Sequence, residues 1–163
     1  MKILVLGGDG YLGWPTALHL SEVGHHVAVV DNFARRGYDF EMGVDSLVPI
    51  ETLQARIRVW HELTGKEIAC YIGDLTDADF TYHVVRDFRP EVIVHFAEQR
   101  AAPYSMIDRA HAVYTQQNNV VGNLNLLFAI AETNPDIHLV KLGTMGEYGW
   151  RPGSTMTRCP APC

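Results

Sequence analysis

Apolar residues fall in short blocks along this chain, and two periods alternate. Ile3-Leu4-Val5-Leu6, His26-Val27-Ala28-Val29-Val30, Ile68 to Ile72, Val92-Ile93-Val94-His95 and His138-Leu139-Val140-Lys141-Leu142 are nearly continuous runs. Runs of this kind fit strands buried on both faces. Between them, apolar positions recur at steps of three or four, as on a helix with one buried face. That pattern predicts helices over Tyr11 to Glu22, Val48 to Leu63, Asp77 to Phe88 and Ile107 to Thr133. In the second, Ile50, Leu53, Ile57, Trp60 and Leu63 form the expected apolar face. Pro15 sits in an early turn, where its missing N–H costs little, and Gly24 and Pro135 mark helix ends. Alternating strands and helices without a repeat imply an α/β fold, a Rossmann-type doubly wound parallel sheet. Right-handed crossovers make 3-2-1-4-5 the expected strand order. The stretch after Asp31 has neither period and reads as irregular, longer than a crossover needs.

The first strand runs into Gly7-Gly8-Asp9-Gly10-Tyr11-Leu12-Gly13, and a helix follows. That order is what a dinucleotide-binding turn requires. Gly7 permits the tight turn, Gly10 lets backbone approach a pyrophosphate, and Gly13 lets the helix pack on the sheet. N–H groups at the helix start and the positive end of its dipole hold phosphates. Asp31 ends the second run about 20 residues past the turn, where a carboxylate accepts hydrogen bonds from the adenosine ribose. Capping of the next segment is its other reading. An acid there favours NAD over NADP, because a 2′-phosphate is repelled. Arg35 and Arg36 pull the other way, since either could reach a phosphate.

Bulk properties narrow the class. The chain has 163 residues, enough for one domain with a core. A net charge of −6 argues against a nucleic-acid partner. No apolar run reaches membrane-spanning length, and Met1-Lys2-Ile3 leads straight into a strand, so neither a membrane span nor a leader is expected. Cys70, Cys159 and Cys163 make no C-x-x-C, and the eight histidines show no ligand spacing, so no metal is expected. Cys70 reads as a reduced core residue, which fits a cytoplasmic location. After Gly149 the composition changes to a Pro-, Arg- and Cys-rich stretch without acids or period, expected to be disordered.

The pocket of a doubly wound sheet lies at the carboxyl ends of its strands, beside the switch between strands one and four. Two segments end there: His95 to Met106 and Gly143 to Gly149. With the glycine turn and Asp31, they resemble the extended short-chain dehydrogenase/reductase family that modifies nucleotide sugars. Three stretches resemble its UDP-sulfoquinovose synthase branch, which serves sulfolipid synthesis. They are Gly7 to Trp14 with Asp31-Asn32 and Arg35-Arg36, then His95 to Arg109, then Lys141 to Gly149. Sugar epimerases typically carry a serine-rich turn where this chain has Gly143-Thr144-Met145-Gly146-Glu147.

The resemblance implies NAD as cofactor and UDP-glucose and sulfite as substrates. Oxidation at C4 acidifies the C5 proton, water leaves from C6, sulfite adds to the alkene, and C4 is reduced again. Thr144 matches the residue that hydrogen-bonds the C4 oxygen. Gln99, Arg100, Met145 and Glu147 match substrate-facing positions, with Glu147 a candidate proton carrier. Cofactor contacts are expected from Gly7, Gly10, Tyr11, Leu12, Gly13, Asp31, Asn32, Arg35, Asp74, Leu75, Phe96, Arg100 and Asn119. A homodimer is expected of the complete enzyme. One departure stands out: the family's base is the tyrosine of Tyr-x-x-x-Lys, and no tyrosine here has a lysine four residues on. The expectation is therefore an incomplete NAD-binding domain over residues 1–149, inactive as this literal chain, with an out-of-frame tail over 150–163. A non-catalytic NAD-binding module and another nucleotide-sugar epimerase or dehydratase are the alternatives.

Overall fold

The computed structural model describes residues 1–143. The five apolar runs form one sheet: β1 (Lys2–Leu6), β2 (His26–Asp31), β3 (Ile68–Ile72), β4 (Val92–His95) and β5 (His138–Lys141). All neighbours pair in parallel, in the order β3-β2-β1-β4-β5. The register aligns Leu4 with Ala28 on one side and Ile93 on the other.

Successive residues of the central strands enter opposite layers. On one face Leu4, Leu6, Ala28, Val30 and Ile93 meet Val84, Val85, Leu126, Ala129 and Ile130. These come from helices α4 (Ala78–Phe88) and α7 (Gly122–Thr133). On the other face Val5, Val27 and Val29 meet Ala17 of α1 (Gly13–Glu22) and Leu53, Ile57 and Trp60 of α3 (Leu53–Thr64). Each fully buried leucine or isoleucine contributes about 2 kcal/mol through removal from water. Burial on both faces explains why these strands read as unbroken apolar runs rather than alternating ones.

Several predicted elements need correcting. The stretch after Asp31 is irregular only in part: α2 (Ala34–Glu41) starts there, entered through Phe33 in the left-handed region at φ 57°, and residues 42–52 are turns and coil. Helix α3 begins at Leu53, later than predicted, because Thr52 accepts a hydrogen bond from the Ala55 N–H at 3.2 Å and caps it. Ile50 therefore lies outside the helix, and both Ile50 and Leu63 are exposed. The helix predicted over Ile107 to Thr133 is three pieces. A capped α6 (Arg109–Gln116) leads into a π-helical turn (Gln117–Val121) and then α7. A short α5 (Ala102–Ser105) precedes them. Cys70 lies on edge strand β3, half-buried rather than in the core, and burial pushes its thiol pKa up. Among the described residues no helix is long and apolar enough to cross a membrane.

Candidate functional site

The glycine turn is built by backbone contact. Gly7 adopts φ 85°, and the Gly7 and Gly8 N–H groups donate to the Val30 carbonyl at 2.8 and 3.0 Å. A Cβ on Gly13 would run into the Gly7 carbonyl, so only glycine seats α1 this close to the turn. Leu12 precedes α1 and caps it with no side-chain bond; the Trp14 N–H turns to the Gly10 carbonyl at 3.1 Å and Pro15 has none, which leaves the Leu12 and Gly13 N–H groups at the helix start for an anionic ligand. Gly10, the exposed Tyr11 and Leu12 form the crest of this cradle.

At the end of β2 Asp31 accepts hydrogen bonds from the Asp9 N–H at 2.8 Å and the Phe33 N–H at 2.7 Å. Burial pushes its pKa up, partly offset by those two N–H groups. Asn32 accepts from the Ala34 N–H at 3.0 Å and donates to Asp74 at 2.8 Å. Burial works against the Asp74 carboxylate, but hydrogen bonds from Thr76 and Asn32 outweigh it and hold the pKa down. Leu75, next in the chain, packs on the core while its carbonyl accepts from Asn125 at 2.9 Å. The two arginines diverge. Arg35 pairs with Asp39 at 3.0 Å on the exposed side of α2. Arg36 turns back to Asp9 with two hydrogen bonds, at 2.8 and 3.0 Å. Arg56 of α3 reaches the same carboxylate. Asp9 and Arg56 were missed in the sequence; the available signal was an acid inside a phosphate-binding turn, which demands a cation.

Across the switch point, the exit of β4 is held by a network of amide groups with one ion pair beside it among the described residues. Asn119, on the π-helical turn, brackets the Gln99 backbone: its Oδ1 accepts from the Gln99 N–H at 2.9 Å and its Nδ2 donates to the Gln99 carbonyl at 2.8 Å. The Gln99 side chain is buried and bonds to Ala101 and Thr115. These contacts fix the loop that carries the exposed Arg100. Phe96 hands its N–H to the Leu6 carbonyl at 2.9 Å, joining this loop to β1. Below it His95 is 2% exposed, and burial lowers its pKa to about 4. Glu98 pairs with Lys141 at 2.5 Å and accepts from Asn123 at 3.1 Å. An unanticipated cluster ties α2 to α5 and α6. Glu41 accepts from Tyr104 at 2.8 Å and meets His111 at 2.9 Å, and the Tyr38 and Tyr114 hydroxyls touch. Thr144, Met145 and Glu147, and the stretch over 150–163, lie outside the described residues.

The model of the NAD dependent epimerase/dehydratase family matches residues 3–162. The chain belongs to that family. Within it, the chain is 57% identical over 148 residues to the chloroplastic UDP-sulfoquinovose synthase of Spinacia oleracea, covering 91% of this chain and 31% of that protein. It is 50% identical over 149 residues to the UDP-sulfoquinovose synthase of Sulfolobus acidocaldarius, covering 91% of this chain and 38% of that one. The UDP-glucose 4-epimerase of Bifidobacterium longum, crystallised with NAD+ and UDP, superposes with a TM-score of 0.68 at 24% identity, over 91% of this chain and 38% of its own. That likeness confirms the Rossmann-type fold. The chain thus spans 31% and 38% of the two synthases it matches.

Proposed function

We propose that these residues form the NAD-binding part of a UDP-sulfoquinovose synthase-type site. The observation that carries this reading is the 57% and 50% identity to two synthases across the span that holds the whole cradle and the β4 exit. The residues present fit a dinucleotide. The turn is glycine where a Cβ would clash, α1 is uncapped by side chains, and a buried carboxylate stands at the end of β2. When bound, NAD supplies reversible oxidation at C4 of the sugar.

The chain's own residues divide the remaining tasks. Backbone N–H groups over Tyr11 to Gly13 hold the pyrophosphate, and Asp31 orients the adenosine ribose. Asn32, Asp74 and Leu75 line the adenine side, while Arg35 remains near the rim of that side. Asn119 and Gln99 hold the β4 exit in one shape, so that Phe96 and Arg100 meet cofactor and sugar in fixed positions. Arg100 offers a guanidinium for sulfite, whose negative charge and planar oxygen set suit its fork. Thr144 hydrogen-bonds the C4 oxygen, Met145 lines the sugar pocket, and Glu147 carries a proton between C5 and C6. Removing the C4 hydroxyl proton needs a base of lowered pKa, and no Tyr-x-x-x-Lys occurs in these 163 residues. As a literal 163-residue polypeptide the chain binds NAD and makes no product. Homodimerisation, a cytoplasmic location and use of free sulfite belong to the same proposal for a longer protein.

A chimera tests it. Residues 1–143 replace the matching segment of the Spinacia oleracea relative, and UDP-glucose, sulfite and NAD are supplied. Mass spectrometry is expected to find UDP-sulfoquinovose, lost on Arg100→Ala. A folded, NAD-binding chimera that makes UDP-galactose instead would favour the epimerase alternative, and one that makes nothing would favour a binding module.

A further inference from the structure

Asp9 occupies an odd place for an acid. It lies within the glycine turn, beside the phosphate cradle, yet its side chain is only 7% exposed. Two guanidiniums close on it. Arg36 engages both carboxylate oxygens and also donates to the Ile50 and Glu51 carbonyls at 3.3 and 2.9 Å. Arg56 pairs with Oδ1, donates to the Asp9 carbonyl at 3.4 Å, and stacks over the Trp14 ring at 4.8 Å. The Asp9 N–H meanwhile donates to Asp31, the acid at the ribose position. Four charges thus meet at the end of β2, two negative and two positive, and cancel.

We propose that Asp9 is a determinant of cofactor specificity, selecting NAD over NADP by occupying Arg36, which would otherwise receive a 2′-phosphate. The inference rests on the NAD-binding reading above. A guanidinium fork is the preferred partner of a phosphate, so arginines near the ribose ordinarily favour NADP. Here the Arg36 fork is already filled by a carboxylate shielded from water, and Arg56 holds that carboxylate through a single nitrogen. A 2′-phosphate has to pull Arg36 from a two-point buried pair and leave Asp9 unpaired, which is costly. It also meets two carboxylates at close range. Asp31 repels the phosphate directly, whereas Asp9 acts through Arg36. The two acids therefore discriminate by separable routes.

The test is calorimetric titration of the purified chain with NAD and with NADP, with thermal melting to confirm folding. Asp9→Asn keeps shape and removes the charge, so the NADP dissociation constant is expected to fall roughly tenfold or more while that for NAD moves by less than about threefold. Adding Arg36→Met to Asp9→Asn is expected to cancel the gain. If two unpaired guanidiniums prevent folding of Asp9→Asn, the double variant Asp9→Asn with Arg56→Met restores charge balance and carries the same expectation through Arg36. An unchanged NADP affinity, equal changes for both cofactors, or a gain that survives Arg36→Met would overturn the proposal. Failure of the unsubstituted chain to bind NAD at all would instead overturn the NAD-binding reading.

Discussion

The two sides of the switch-point crevice are built on opposite principles. On the β2 side, recognition is ionic and closed. Arg36 and Arg56 close on Asp9, and Asp31 and Asp74 are held by N–H and hydroxyl donors. On the β4 side the framework is mostly neutral: amides of Gln99 and Asn119 clasp one another and a buried histidine stays uncharged, with a Glu98–Lys141 ion pair beside them. The one guanidinium assigned to the sugar, Arg100, is exposed. The contrast separates binding from turnover. Groups proposed to hold adenosine lie within the described residues and are already held by hydrogen bonds. Groups assigned to proton transfer are not among them. Affinity for a dinucleotide can therefore be studied apart from the reaction.

Acid should damage the neutral side first. His95 stays unprotonated when folded because burial lowers its pKa to about 4 from the ordinary 6.5. The unfolded chain binds a proton at this residue below pH 6.5 and the folded chain does not. Its contribution is therefore fully present above pH 6.5 and is lost as pH falls toward 4, by up to about 3 kcal/mol. Glu98 and Asp74, both held below the usual carboxylate range, extend the loss to lower pH, while the raised Asp31 opposes it. Urea unfolding at pH 7, 5.5 and 4.5 measures the slope. His95→Asn, which keeps an acceptor for the Ala97 N–H, is expected to flatten it between pH 6.5 and 4.

Next in size is the amide bracket. Asn119→Ala leaves the Gln99 N–H and carbonyl without partners in a half-buried loop, at a cost of about 2 kcal/mol in unfolding free energy. The β2 side shares none of these atoms, so the change is expected to leave glycine-turn amide exchange untouched. Hydrogen exchange residue by residue checks that; loss of protection at Gly7 and Gly8 would show that the two sides are one cooperative unit.

The same contrast governs what the sequence disclosed. Central strands were legible because both their faces are buried, and the strand order followed from crossover handedness. Gly7, Gly13 and Asp31 were legible because a local spacing defines their job. The pairing of Asp9 with Arg36 and Arg56 was not, since it joins residues far apart in the chain and only the folded α2 and α3 bring them together. Helix α2 was missed for a related reason: it buries no residue fully, so it leaves no apolar period to read. The π-helical turn was hidden inside a continuous helical pattern, and with it the register that points Asn119 at Gln99.

A smaller effect is expected at Asp31. Asp31→Ala removes the acceptor of the Asp9 and Phe33 N–H groups and the proposed ribose partner. NAD binding is expected to weaken by about 1–2 kcal/mol, roughly tenfold in dissociation constant. Titration with NAD and NADP in parallel sharpens the contrast. Loss confined to NAD supports the ribose role, whereas equal loss for both points to a distorted turn.

The smallest effect on stability concerns the outer face of α7, behind the neutral side. Leu126 is buried at 1% exposure, but its neighbours Leu124, Leu127 and Phe128 are 48%, 51% and 59% exposed. On edge strand β5, Val140 is 45% exposed. These half-exposed side chains gain little from the fold, so Leu127→Gln with Phe128→Gln is expected to change unfolding free energy by no more than about 0.5 kcal/mol. Their effect lies in association, because exposed apolar side chains gathered on one helix face favour contact between chains. Light scattering over rising protein concentration is expected to show less association for the double variant. A large loss of stability would mean that this face is already packed in solution, and the β4 side would then be as closed as the β2 side.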